Sequence, residues 1–106
     1  MSAIAVTDNL AERRYEATID GALAGFLQYG LARTRIIHRH TEVLPEFEGE
    51  GVGSALARYA LDDALSRGLE VVPICPFVAG WIKRHPEYAN VVTPPLRAQF
   101  EPEATA

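Results

Sequence analysis

The stretch Glu48-Gly49-Glu50-Gly51-Val52-Gly53-Ser54 follows a β-prone run and opens straight into an amphipathic pattern, which restricts the fold more tightly than any other segment. Glycines at alternate positions leave bare backbone at a strand-to-helix junction. The first turn of a helix carries N–H groups without intrahelical partners at the positive end of its dipole. Bare loop and helix start together make an anion site. The missing Cβ atoms are expected to clear room for a phosphate, so residues Glu48 to Ser54, with Glu50 and Val52 among them, read as the binding loop of a phosphate-bearing cofactor.

Context narrows that cofactor. A mononucleotide loop ends in Gly-Lys-Ser/Thr, whereas Gly53 is followed by Ser54-Ala55. A dinucleotide fingerprint places its third glycine three residues after the second. Counting from Gly49 and Gly51 finds Ser54 there, and counting from Gly51 and Gly53 finds Leu56. The upstream chain reads as consecutive antiparallel strands, not as the opening strand of a βαβ unit. A coenzyme A diphosphate fits best.

Those upstream strands are predicted over Ile4 to Asp8, Arg13 to Ile19, Leu23 to Tyr29 and Arg35 to Val43, with Asp20-Gly21 as a two-residue hairpin. After the loop, residues 51–67 carry Val52, Leu56, Tyr59, Ala60, Ala64 and Leu65 at a spacing that keeps one helical face on a sheet, and Gly68 stops the helix. Leu69 to Pro73 reads as a buried strand parallel to the one before the helix. A second helix is predicted from Pro76 to about Arg84, with Phe77, Val78, Trp81 and Ile82 facing inward and Pro86 ending it. Glu87 to Thr93 reads as a last strand through Val91 and Val92. The fold class is therefore α/β (α+β): an antiparallel N-terminal meander, a β-α-β crossover and a second helix. Residues 1–95 form one domain, and 96–106 read as a mobile tail.

At 106 residues the chain has room for a core but not for a second domain. No apolar run approaches a membrane span, and Met1-Ser2-Ala3-Ile4 lacks the basic and apolar segments of a leader, so a cytoplasmic, non-membrane protein is expected. Cys75 is the single cysteine, in keeping with a reducing compartment. A net charge of −4 argues against nucleic acid and suits a cationic acceptor such as an amine.

Four segments carry a resemblance: Thr41-Glu42-Val43-Leu44-Pro45, Gly49 to Gly53, Pro73-Ile74-Cys75-Pro76-Phe77-Val78, and Arg84-His85-Pro86-Glu87-Tyr88. Over roughly residues 3 to 92 the chain resembles the small, single-domain YjdJ-type branch of the GNAT acyltransferases. The superfamily loop usually opens with Gln or Arg, while Glu48 stands here with Glu46 and Glu50 beside it. The resemblance implies acetyl-CoA as acyl donor, an amine as acceptor, and a thioester held where two parallel strands splay. By position, the N–H of Val43 or Glu42 would polarise its carbonyl. Larger members place helices between the first two strands, where only Asn9 to Glu12 stand here. The acceptor side is expected to be open, to be completed by another protein or by a second copy in a homodimer.

Strand alternation puts Ile36, His38, His40 and Glu42 on one side and Ile37, Arg39, Thr41 and Val43 on the other, so His40 and Glu42 share a surface. Either is a candidate base, or His38 and His40 are polar residues beside a turn. Cys75, just before Pro76, is a candidate helix N-cap whose thiolate the dipole favours. It is a nucleophile, a liner of the thioester pocket, or simply a small buried hydrophobe. Tyr88 and His85 are candidate proton donors to a departing thiolate, or a packing residue and a helix end. Trp81 reads as core, and no metal-ligand spacing is present. Two routes follow: direct attack by the amine with Glu42 or His40 as base, or transfer through acetyl-Cys75 with His40 as base. A non-catalytic acyl-CoA-binding or partner-docking module is the alternative, and a small α/β protein without nucleotide ligand is the third reading.

Overall fold

Alternating strands and tight turns build the first half of the chain. In the computed structural model, which describes residues 3–100, β1 (Ile4–Asn9), β2 (Arg14–Ile19), β3 (Ala22–Ala32) and β4 (Arg35–Val43) pair antiparallel in chain order. Asp20 and Gly21 both adopt left-handed backbone, φ 51 and 81, which matches the twist that a two-residue hairpin needs. Gly51 then starts α1 (Val52–Arg67), Gly68 ends it in left-handed conformation, and β5 (Glu70–Pro73) returns parallel to β4. The far edge of β5 is closed by Val92, which bridges Val71, and by the Thr93 N–H bonded to the Val71 carbonyl at 2.8 Å. α2 (Pro76–Arg84) begins on Pro76 and packs against α1 on the same sheet face. The meander, crossover and second helix thus stand as the pattern predicts.

Tyr15 shows how that helical face is held. Its ring is fully buried 5.0 Å from that of Tyr29, and its hydroxyl donates to Asp63 of α1 at 2.7 Å, while Tyr29 donates to Asp8 of β1 at 2.7 Å. Burial first, then the carboxylate partner, raises both phenol pKa values, Tyr29 to about 12. The opposite sheet face carries Arg14, Glu16, Phe26, Gln28, His40 and Glu42, all half-buried or exposed.

Several local expectations need correction. α1 buries Leu56, Ala57, Ala60, Leu61 and Ala64, while Tyr59 and Leu65 are exposed on its flanks. Ala57 and Leu61 complete the stripe at helical spacing, so the apolar pattern had been centred a fraction of a turn away. Residues 86–91 form a 3-10 turn and not a strand, because Pro86 fixes φ at its first position and lacks the N–H a ladder requires. Within the segment expected as a tail from residue 96, a short helix α3 (Pro94–Arg97) leads to a buried Phe100, with the Lys83 ammonium 5.8 Å from its ring. Residues 101–106 lie outside the described residues.

The consequential correction is a bulge. Gln28 pairs with His40 and Tyr29 with His38, which leaves Arg39 as an extra residue in β4. An unpaired residue reverses the face of everything beyond it. Ile36, His38, Thr41 and Val43 therefore line the helical side, and His40 and Glu42 the open side.

Candidate active site

β4 ends at Val43, and the chain turns through a 3-10 turn over Pro45–Phe47 into the glycine loop. Gly49 and Gly51 sit at φ 83 and 86, which other residues adopt only under strain; a Cβ on either would meet nothing within 4 Å. The left-handed backbone alone is enough to demand glycine at both positions. Gly53 is a different case, since its Cβ would stand 2.6 Å from Phe77 Cζ. Gly25 on β3 lets Val52 approach closely enough to seat the start of α1 on the sheet, a Cβ there falling 2.9 Å from Val52 Cγ1. The first α-helical bond runs from Ala55 N–H to the Gly51 carbonyl at 3.0 Å, so the N–H groups of Val52, Gly53 and Ser54 precede it at the helix end. They adjoin a cleft of about 250 Å³ lined by Val43, Phe47, Glu48, Gly49, Gly51, Val52, Gly53, Ser54 and Phe77.

Beyond the loop, β4 and β5 part. Their last register pair is His38 with Pro73, after which the Cys75 N–H bonds to the His38 carbonyl at 2.9 Å and α2 leaves the sheet. Leu44 donates its N–H to Ala24 on the β3 side at 2.8 Å. N–H directions alternate along a strand, so Glu42 also points to β3 and Val43 points into the splay. Of the two donors expected from sequence, Val43 has the right direction. Within the splay, Thr41 Oγ1 lies 3.3 Å from Cys75 Sγ, and the thiol is buried. On the open face, His40 Nε2 lies 3.4 Å from Glu42 Oε1.

A family model described as GCN5-related N-acetyl-transferase matches residues 14–91, from the first residue of β2 to the end of the 3-10 turn after α2. The chain belongs to that family. No curated protein matches it.

Within this GNAT domain the expected site residues fall into two groups. His40, Glu42 and Val43 cluster around the end of β4 with Cys75 and the loop. His40 and Cys75, however, lie on opposite faces of β4, and the thiol's neighbour is Thr41. His40 as base for Cys75 is not a geometry this structure holds. Cys75 is the N-cap of α2 as expected, but its side chain makes no capping bond. Tyr88 is anchored to α1: its hydroxyl donates to Asp62 at 2.7 Å, its ring lies 5.3 Å from that of Trp81, and burial together with that carboxylate raises its pKa. That arrangement ties the 3-10 turn to α1 and holds the phenol proton. His85 stacks on Trp81 with centroids 3.8 Å apart and donates Nδ1–H to the Trp81 carbonyl at 2.8 Å, closing the end of α2. Trp81 is core, and its indole N–H reaches Ser54 Oγ at 3.3 Å.

Thr41, Phe47 and Phe77 were not assigned to the site from sequence. Thr41 shares a face with Val43 by simple alternation, which was the available signal. Phe47 lies in a turn whose geometry depends on Pro45, and Phe77 is partly exposed against Gly53 where an inward position was expected. Glu46, Glu48 and Glu50 are all exposed. Among the described residues no helix is long and apolar enough to cross a membrane.

Proposed function

We propose that this GNAT domain, of the YjdJ-type branch, transfers an acetyl group from acetyl-CoA directly to an amine. The observation that carries the reading is the cleft that joins the left-handed glycine loop at the start of α1 to the splay at Val43. Amide groups of Val52, Gly53 and Ser54 take the CoA diphosphate, aided by the helix dipole. Glu48, Gly49, Glu50 and Gly51 shape the turn with their backbone, and their exposed carboxylates stay in water. The thioester carbonyl accepts from the Val43 N–H, which holds the oxyanion as the carbonyl carbon becomes tetrahedral. An amine arriving on the open face loses its proton to Glu42 or His40, directly or through water. The new C–N bond forms, the C–S bond breaks, and the CoA thiolate is protonated from solvent at the cleft.

The two faces of β4 favour this direct route, because the thioester and the base then meet the acyl carbon from opposite sides. In the covalent route Cys75 would need a base on its own face. Incubation with acetyl-CoA alone is expected to leave the protein unacetylated, and Cys75→Ala to retain transfer. Acetylated protein that disappears in Cys75→Ala would establish the thiol as nucleophile. Calorimetric titration with CoA and acetyl-CoA tests the shared premise, and loop resonances that stay unmoved at saturating coenzyme would remove it.

A second reading has one specific observation behind it. Three exposed carboxylates beside the loop oppose a diphosphate, as suits a module that binds acyl-CoA or a partner without turnover. Tight acetyl-CoA binding with no product across a broad amine panel would select it.

A further inference from the structure

Two elements diverge from the last β4–β5 pair like the arms of a wedge, and their side chains meet in steps. At the closed end the Cys75 N–H bonds to the His38 carbonyl at 2.9 Å. One step outward, Thr41 Oγ1 and Cys75 Sγ meet at 3.3 Å across the gap. Two residues further along each element, Val43 and Phe77 no longer close it and instead line the cleft that opens toward the glycine loop. Neither Thr41 nor Cys75 lines that cleft, and Cys75 is 2 % exposed.

We propose that the Thr41–Cys75 contact is the floor of the acyl pocket and limits the donor to a two-carbon acyl group. This inference rests on the CoA reading above. A thioester whose carbonyl accepts from the Val43 N–H carries its acyl methyl toward the closed end of the wedge. There it meets Thr41 and Cys75. Extending the acyl chain by two carbons drives it into a contact already at van der Waals distance, and a packed floor two residues from a register pair has little freedom to yield. Thr41→Ala removes the hydroxyl and the methyl, two heavy atoms, which is the number by which butyryl exceeds acetyl. Thr41→Val keeps the shape and removes only the hydroxyl. Sterics and hydrogen bonding are thereby separated, and the thiol itself is untouched.

The test is calorimetric titration of wild type, Thr41→Ala and Thr41→Val with CoA, acetyl-CoA and butyryl-CoA, with melting curves to establish folding. Wild type is expected to bind butyryl-CoA at least about tenfold more weakly than acetyl-CoA, as an overpacking cost converts to affinity. Thr41→Ala should narrow that gap to about threefold or less, and Thr41→Val should retain it. CoA affinity should be alike in all three. Equal binding of both acyl donors by wild type overturns the floor while leaving the CoA reading intact, as does a gap that survives in Thr41→Ala. Loss of the gap in Thr41→Val overturns the steric account. Failure of wild type to bind CoA at all removes the underlying reading, and the floor with it.

Discussion

Replacing His38 with leucine is expected to abolish most of the acid sensitivity of this fold between pH 6.5 and 4. His38 is 0 % exposed, and among the described residues neither ring nitrogen has a hydrogen-bond partner. Burial, with no compensating charge, lowers its pKa from 6.5 to about 4. A base whose folded pKa is depressed is bare in the native state while the unfolded chain still takes up a proton, so stability increases with pH through this window. Its full value is present above about pH 6.5 and is lost progressively on acidification toward 4. The gap corresponds to roughly 3 kcal/mol, a large part of the ~5–15 kcal/mol that holds a typical domain. Urea unfolding at pH 7, 6, 5 and 4.5 measures it. Glu16 also loses stabilisation below its ordinary pKa, which the Arg14 guanidinium hydrogen bond depresses, but it does so in both proteins and cancels in the difference. At pH 7 His38→Leu should be neutral or stabilising by about 1–2 kcal/mol, since it removes two orphaned polar atoms. Wild-type and variant stabilities that fall in parallel would show that His38 has a partner and that the burial argument is wrong.

Gly53→Ala should destabilise the protein by about 1–3 kcal/mol through its collision with Phe77, and Phe77→Leu should relieve part of that cost, so urea midpoints of the two single variants and the double variant should be non-additive. Gly51→Ala meets no steric obstacle, so its penalty of about 1 kcal/mol is that of left-handed backbone, and it should be accompanied by weaker CoA binding in calorimetry. Tyr88→Phe should cost about 1 kcal/mol by loss of the Asp62 hydrogen bond and leave acetyl-CoA affinity within about twofold; a collapse in affinity would show that the phenol serves coenzyme binding. Tyr29 contributes stability that is complete below pH 10 and is lost as pH increases through its raised pKa of about 12, so Tyr29→Phe should flatten the alkaline limb seen by circular dichroism.

Much of the fold was legible because its signals are local. Asp20-Gly21 dictates a hairpin whatever surrounds it, Gly68 ends a helix by its own backbone, and the apolar spacing of 52–64 has one period. Residues 87–93 were misread as a strand because Val91-Val92 carries strand propensity while Pro86, five residues before Val91, sets a turn that runs to Val91. Phe100 was read as tail because its burial depends on a contact with distant α2. Within the candidate site, the loop was read from its glycine spacing and the end of β4 from alternation and family resemblance, whereas the positions of Thr41, Phe47 and Phe77 depend on how two elements diverge in space. The anchoring of Tyr88 was hidden for the same reason: its partner Asp62 lies 26 residues away in sequence, on a helix face that no local pattern orients toward it.

A single extra residue divides the labour of this site. Were Arg39 paired as a regular strand residue, strict alternation would put His40 and Glu42 on the same face as Ile36 and His38, against the helices, and an unpaired carboxylate in that core would cost several kcal/mol. The bulge sends Arg39 outward instead, where its guanidinium lies over Gly30, so close that a Cβ there would stand 2.6 Å from Nη2. Glycine at that one position is what gives the bulged side chain a place to lie. The shifted register then leaves Thr41 and Val43 on the helical side, where Val43 lines the cleft and Thr41 meets Cys75, while His40 and Glu42 face the open side. The bulge thus decides which face of β4 each of these side chains takes, and it keeps the Glu42 carboxylate out of the core.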